Sequence, residues 1–130
     1  EFRRVSSDLP HAAQASLLAT TGAIWIAGGM AKGAKFEELI KRCKDRIKSA
    51  ILIGIDRDLI ATELEKNGIE YFKVDASKNQ SVMEAAVNKA KELAGPGDTV
   101  LMAPACASMD QFKNYSDRGD QFAEAVKRLA

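Results

Sequence analysis

With 130 residues, 19 of them basic and 18 acidic, the chain fits one compact domain of net charge +1, which offers no strong field to nucleic acid or to an anionic membrane. Its longest apolar stretches, residues 22–29 and 50–55, fall well short of the roughly 20 residues of a spanning helix, and its first residues lack the apolar core of a secretory signal. The two cysteines, Cys43 and Cys106, match no metal spacing, as expected of free thiols in a reduced, cytoplasmic domain.

Residues 1–9, which open with Glu1-Phe2, are read as a cloning remnant or linker and are expected to be mobile, so that the domain runs from 10 to 130. Pro10 suits the first turn of a helix over 11–19, closed by Thr20-Thr21-Gly22. Residues 23–27 are continuously apolar, as a central parallel strand covered on both faces must be. A glycine-rich loop, 28–34, leads to a helix over 36–46 with Phe36, Leu39, Ile40 and Cys43 on one face. A buried strand over 50–54 follows, then a helix over 58–67 with Leu59, Ile60 and Leu64 inward and Asn67-Gly68 as its left-handed cap. A strand over 69–74 precedes a helix over 81–94 that presents Val82, Met83, Ala86, Val87, Ala90 and Leu93. Gly95-Pro96-Gly97-Asp98 is a turn, 99–102 the last strand, and 119–129 the closing helix, with Phe122, Ala125, Val126 and Leu129 as its apolar stripe.

Four strands alternating with helices predict an α/β fold: a Rossmann-like, doubly wound, mostly parallel sheet in a single three-layer domain. In that class ligands sit outside the carboxyl ends of the strands, in the loops that enter the helices. Three loops qualify, at 28–35, 55–57 and 103–115.

In the first, Gly28-Gly29-Met30-Ala31-Lys32-Gly33-Ala34-Lys35, two glycines after a buried strand let the backbone approach a ligand, and the next helix turns its positive end toward an anion. Lys32 and Lys35 add charge. The Gly28-x-x-x-x-Gly33 spacing is not a Walker motif, because Ala34 stands where the lysine belongs and no Ser or Thr follows it. An ordinary strand-to-helix loop with two solvated lysines also accounts for it. In the third loop, Pro104-Ala105-Cys106-Ala107 turns the chain sharply and leaves Ser108 at the tip, where a hydroxyl and nearby N–H groups suit a carboxylate. A nucleophilic Ser108 or Cys106 lacks a base, since the only histidine, His11, belongs to another helix. Cys106 reads as a small buried hydrophobe, Asp110 as a turn cap, Phe112 as core, and Lys113 and Arg118 as solvated or structural. Arg118-Gly119-Asp120 is a chance adhesion-like triplet. From these residues comes an anion-friendly sheet edge and no reaction.

The run Pro104-Ala105-Cys106-Ala107-Ser108-x-Asp110-Gln111-Phe112-Lys113-Asn114-Tyr115-x-x-Arg118-Gly119-x-x-Phe122 resembles the C-terminal signature of the bacterial Mur ligases, in the branch that adds D-glutamate. The Gly28-Gly29-x-x-Lys32-Gly33 loop, the Pro10-His11-Ala12-Ala13 helix entry and the Gly95-Pro96-Gly97-Asp98 turn resemble that family too. The resemblance implies a cytoplasmic step of peptidoglycan synthesis. ATP phosphorylates the carboxylate of UDP-N-acetylmuramoyl-L-alanine, and the amine of D-glutamate attacks the acyl phosphate while magnesium neutralises charge. It implies that ATP and magnesium are held mainly by a central domain outside this chain, which corresponds to the amino-acid-binding domain, a monomer inactive on its own. Residue by residue, it implies Lys32 on the α-carboxylate of D-glutamate, the Ser108 hydroxyl and the Tyr115 backbone N–H on the side-chain carboxylate, and Met109 lining the pocket, with no catalytic residue or metal ligand in the chain. Where the family carries Asp-Ser-Lys-Ala-Thr-Asn before the Pro-His helix, this chain reads Val5-Ser6-Ser7-Asp8-Leu9, and Met30 replaces a polar residue of related loops. The alternative is a stand-alone α/β anion-binding or interaction module without catalysis.

Overall fold

Strands and helices alternate along the whole chain in a computed structural model that describes residues 1–5, 9–106 and 111–129, Tyr115 by its backbone alone. The strands are β1 (Phe2–Arg4), β2 (Ala23–Gly28), β3 (Ile47–Ile53), β4 (Tyr71–Lys73) and β5 (Thr99–Met102). The helices are α1 (Pro10–Leu18), α2 (Glu37–Cys43), α3 (Arg57–Lys66), α4 (Val82–Leu93) and α5 (Tyr115–Lys127), with a 3-10 turn at Lys44–Arg46 behind α2. One sheet results, in the order β1-β5-β2-β3-β4, and each of these pairings is parallel.

Period-two alternation decides the layers. On one face Ala23, Trp25 and Ala27 of β2, with Ala50 and Leu52 of β3, meet α1, α2 and α3 through Leu17, Ile40, Cys43, Ile60 and Leu64. On the other face Ile24 and Ile26, Ile51 and Ile53, and Val100 and Met102 meet α4 and α5 through Met83, Val87, Ala90, Phe122 and Ala125. Each fully buried Ile or Leu stabilises by roughly 2 kcal/mol. Two separate cores on a sheet buried from both sides make the three-layer, doubly wound α/β arrangement expected from the sequence.

Local chemistry fixes the ends of the elements. Pro10 occupies the first turn of α1. Ser81 Oγ accepts the Glu84 N–H (3.2 Å) at the start of α4, and Asn114 Oδ1 accepts the Asp117 N–H (2.8 Å) at the start of α5. α3 closes as expected, with Gly68 at φ 69° and the Ile69 N–H donating to the Leu64 carbonyl at 3.0 Å.

Besides shifted element ends, as at β3, which starts at Ile47 and not at 50, three features depart from the sequence expectation. Residues 2–4, set apart above as part of a mobile segment, form β1: they pair with Val100, Leu101 and Met102, the Phe2 ring lies 6.4 Å from that of Phe122, and Arg4 Nη1 donates to the Gly119 carbonyl (2.7 Å). A three-residue strand with two arginines offers no alternation by which to read it. α5 begins at Tyr115 and not at 119, because Asn114 supplies a cap, and the added turn carries Arg118 inward to 1% exposure, so it is not solvated. Leu59 faces solvent at 51% exposure. Ile60, Ala61 and Leu64 already complete the inward stripe of α3, and an adjacent position sits about 100° round the helix.

Candidate functional site

β2 and β5 are neighbours in the sheet, yet the chain leaves β2 for α2 on one face and leaves β5 for α5 on the other. Such a reversal opens a crevice at the carboxyl ends of the two strands, where this class of fold takes its ligands. The loop at 28–35 and the described residues 103–106 flank that one crevice, and bonds join their bases. The Gly28 N–H donates to the Pro104 carbonyl (3.0 Å), the Ala103 N–H to the Ile26 carbonyl (3.2 Å), and Trp25 Nε1 to the Ala103 carbonyl (2.8 Å). The third loop joins through Asp56, whose N–H donates to the Gly29 carbonyl (3.0 Å) and whose Oδ2 accepts the Ala31 N–H (2.7 Å).

Gly28 has no substitute in this geometry. At φ 124°, a Cβ added to it would lie 1.8 Å from the Ile53 carbonyl oxygen. Beyond it the chain turns through 31–34: the Ala34 N–H donates to the Ala31 carbonyl (2.9 Å), and Lys32 (φ 49°) and Gly33 (φ 79°) carry the paired positive angles of a type I′ turn. A lysine in that region costs roughly 1–2 kcal/mol. Across the crevice the buried Ala105 stands at φ 61°. Among the described residues these are the two non-glycine positions with positive φ, one on each flanking loop. Strain of this kind persists only where the surroundings impose it, and it gathers at functional sites.

Lys32 is exposed, and its ammonium enters no ion pair among the described residues. Beside it lies an open cleft of about 440 Å³ walled by Leu9, Pro10, Met30, Ala31 and Ala34. One available cation over an aliphatic wall suits a small molecule with a carboxylate on an aliphatic stem. Lys35 instead borders a different hollow, with Phe36, Leu59 and Glu63. A further hollow of about 500 Å³ at the ends of β3 and β4 is lined by Arg57, Asp58, Lys73 and Asp75. There Arg57 pairs with Asp75 (2.9 Å) and Lys73 with Asp58, which leaves no net charge to draw a ligand.

Residues 9–106 match the family model described as "Mur ligase, glutamate ligase domain". The chain belongs to the Mur ligase family. A UDP-N-acetylmuramoylalanine–D-glutamate ligase from Streptomyces avermitilis is 52% identical over 120 residues, which cover 92% of this chain and 26% of that protein. One of the same name from Streptomyces coelicolor is likewise 52% identical over 120 residues, and one from Leifsonia xyli 46% over 119, or 90% of this chain and 23% of that protein. The chain thus spans about a quarter of the length of the curated relatives it matches. The likeness read from the sequence motifs is borne out.

In this Mur ligase domain the four residues expected on the substrate divide between what the structure describes and what it does not. Lys32 stands at the crevice. Tyr115 is the first residue of α5, so its backbone N–H belongs to a helical turn whose N–H groups have no acceptor within the helix. Ser108 and Met109 lie outside the described residues, as does Asp110. Cys106 and Phe112 are buried as read, and burial pushes the Cys43 thiol up from its ordinary value. Among the described residues no group of three His, Cys, Asp or Glu side chains is arranged to hold a metal ion, and no helix is long and apolar enough to cross a membrane.

Two residues that shape the crevice were given no role in it from the sequence. Arg118 is one: its Nη1 donates to the buried Cys106 carbonyl (2.8 Å) and ties α5 to the loop. Its spacing of four from the capping Asn114 was the available signal. Asp56 is the other, and nothing local distinguishes it from a helix cap.

Proposed function

We propose that this chain, its β1 strand included, is the amino-acid-binding domain of an ATP-dependent ligase that joins D-glutamate to UDP-N-acetylmuramoyl-L-alanine in the cytoplasm, and that the β2–β5 crevice holds D-glutamate. The observation that carries this reading is Lys32, an exposed, unpaired cation held in a strained turn at the topological switch point. The names of the relatives support the substrate pair.

D-glutamate brings two carboxylates to be held and one amine that must stay free to attack. In this reading Lys32 grips the α-carboxylate, the Ser108 hydroxyl and the Tyr115 N–H take the side-chain carboxylate, and Met109 and Met30 line the aliphatic stem. A dianion wants a cation and several donors around it, and the exposed Lys32 and the N–H groups that open α5 support this reading. ATP and magnesium belong mainly to the rest of the ligase, where the acyl phosphate forms. The part of this chain is positional: it holds the amine near the acyl carbon, so that bond formation with loss of phosphate and a proton proceeds as an intramolecular step.

The kinetics of the whole ligase test this. Lys32→Ala is expected to raise KM for D-glutamate roughly ten- to a hundredfold, since a charge-assisted bond is worth about 1.5–3 kcal/mol. Ser108→Ala removes a neutral donor worth about 1 kcal/mol, or about fivefold. KM for the uridine nucleotide is expected to stay within about twofold in both. A D-glutamate KM unmoved by both substitutions overturns this placement of the amino acid and leaves the two loops as ordinary strand-to-helix connections.

A further inference from the structure

Asp56 stands at the N-cap of α3, yet its side chain accepts no N–H of its own helix. An aspartate in that position ordinarily takes the N–H of the second or third helical residue. Here the carboxylate is turned to the neighbouring loop: Oδ2 accepts the Ala31 N–H at 2.7 Å, while the Asp56 N–H donates to the Gly29 carbonyl at 3.0 Å. These two bonds bracket Met30. Ala31 is the first residue of the 31–34 turn, and its carbonyl closes that turn on the Ala34 N–H at 2.9 Å. The residue after Ala31 is Lys32, at φ 49°. A lysine leaves that region for a right-handed or extended conformation unless its neighbours hold it. Among the described residues, the Asp56 carboxylate is the one side chain bonded to the backbone of 28–34.

We propose that Asp56 is a positioning residue for Lys32: its carboxylate locks the strained 31–34 turn and so aims the ammonium into the β2–β5 crevice. This rests on the reading of Lys32 as the grip on a substrate carboxylate, and it adds a residue from the loop of a different strand. The bond to a backbone N–H also keeps that carboxylate engaged away from the ammonium, which enters no ion pair and stays available to an anion.

Two variants separate the oxygen acceptor from other effects of the side chain. Asp56→Asn keeps an oxygen that can accept the Ala31 N–H, and Asp56→Ala keeps none. In the ligase that carries this chain, Asp56→Ala is expected to raise KM for D-glutamate about tenfold with kcat and KM for ATP within about twofold, and Asp56→Asn to remain within about threefold of the parent. On a Lys32→Ala background, Asp56→Ala is expected to add nothing to that KM, as a residue acting through another must. Hydrogen exchange reads the lock directly: protection of the Ala31 and Ala34 amides falls about tenfold or more in Asp56→Ala and survives in Asp56→Asn. Unchanged protection in Asp56→Ala, or a KM penalty that adds in full to that of Lys32→Ala, overturns the positioning role. If protection falls while neither Asp56→Ala nor Lys32→Ala moves KM for D-glutamate, the lock stands and the reading of Lys32 fails.

Discussion

At Gly28 the absence of a side chain lets β2 close on the end of β3, and the floor of the crevice depends on that approach. Gly28→Ala places a Cβ 1.8 Å from the Ile53 carbonyl oxygen at φ 124°, where backbone must move. We expect a loss of about 3 kcal/mol or more, and a fall in Tm of roughly 10 °C, by thermal unfolding. A Tm equal to that of the parent contradicts the geometry. The glycine spacing made this loop legible in the sequence, and with it Lys32 as a candidate. The strain on Lys32 was not legible, because tertiary bonds set it, among them that between Ala31 and Asp56, 25 residues apart in the chain. For Arg118 the sequence left a solvated and a structural reading side by side, and the buried bond to Cys106 selects the structural one: its environment follows from where α5 starts, which the sequence placed one turn late.

Among the elements, β2, β3 and β5 were legible because burial on both faces leaves continuous apolar runs in the sequence. β1 was not, since an edge strand of three residues shows no such run, and its placement depends on contacts with β5 and α5 that lie far along the chain. The turn before β5 is tied to β3 by Asp98, whose Oδ2 accepts from Lys48 Nζ (2.6 Å) and from the Gly95 N–H (2.8 Å). The Lys48 bond first, and the Gly95 bond next, hold the Asp98 carboxyl below its ordinary value. A carboxylate whose pKa is lower folded than unfolded contributes stability that is fully present above the unfolded value, about 4, and is lost as pH falls through the folded one. Urea midpoints taken from pH 7 down to pH 3 are therefore expected to decline in acid, and less steeply for Asp98→Asn. Equal acid slopes for the two proteins would show that this turn does not use the charge.

For the whole molecule, topology does what no single loop can. The reversal of winding between the parallel strands β2 and β5 brings together two loops more than seventy residues apart in sequence, one bearing Lys32 and the other leading to Ser108 and Tyr115. The strand–helix alternation announced that class of fold, and with it the edge of the sheet where a ligand belongs. The chemistry of the ligand came from family likeness, because one lysine and one serine on loops are common to many anion sites. The most direct measurement is a titration of D-glutamate into the ¹⁵N-labelled chain, followed by amide shifts. Because isolated loops bear the full ordering cost of binding, the expected Kd is on the order of millimolar or weaker. The expected shifts fall on residues 28–34 and 103–115 and vanish in Lys32→Ala. Shifts centred elsewhere, as around Arg57 and Lys73, with both loops silent at saturating D-glutamate, would contradict the placement of the amino acid in this crevice.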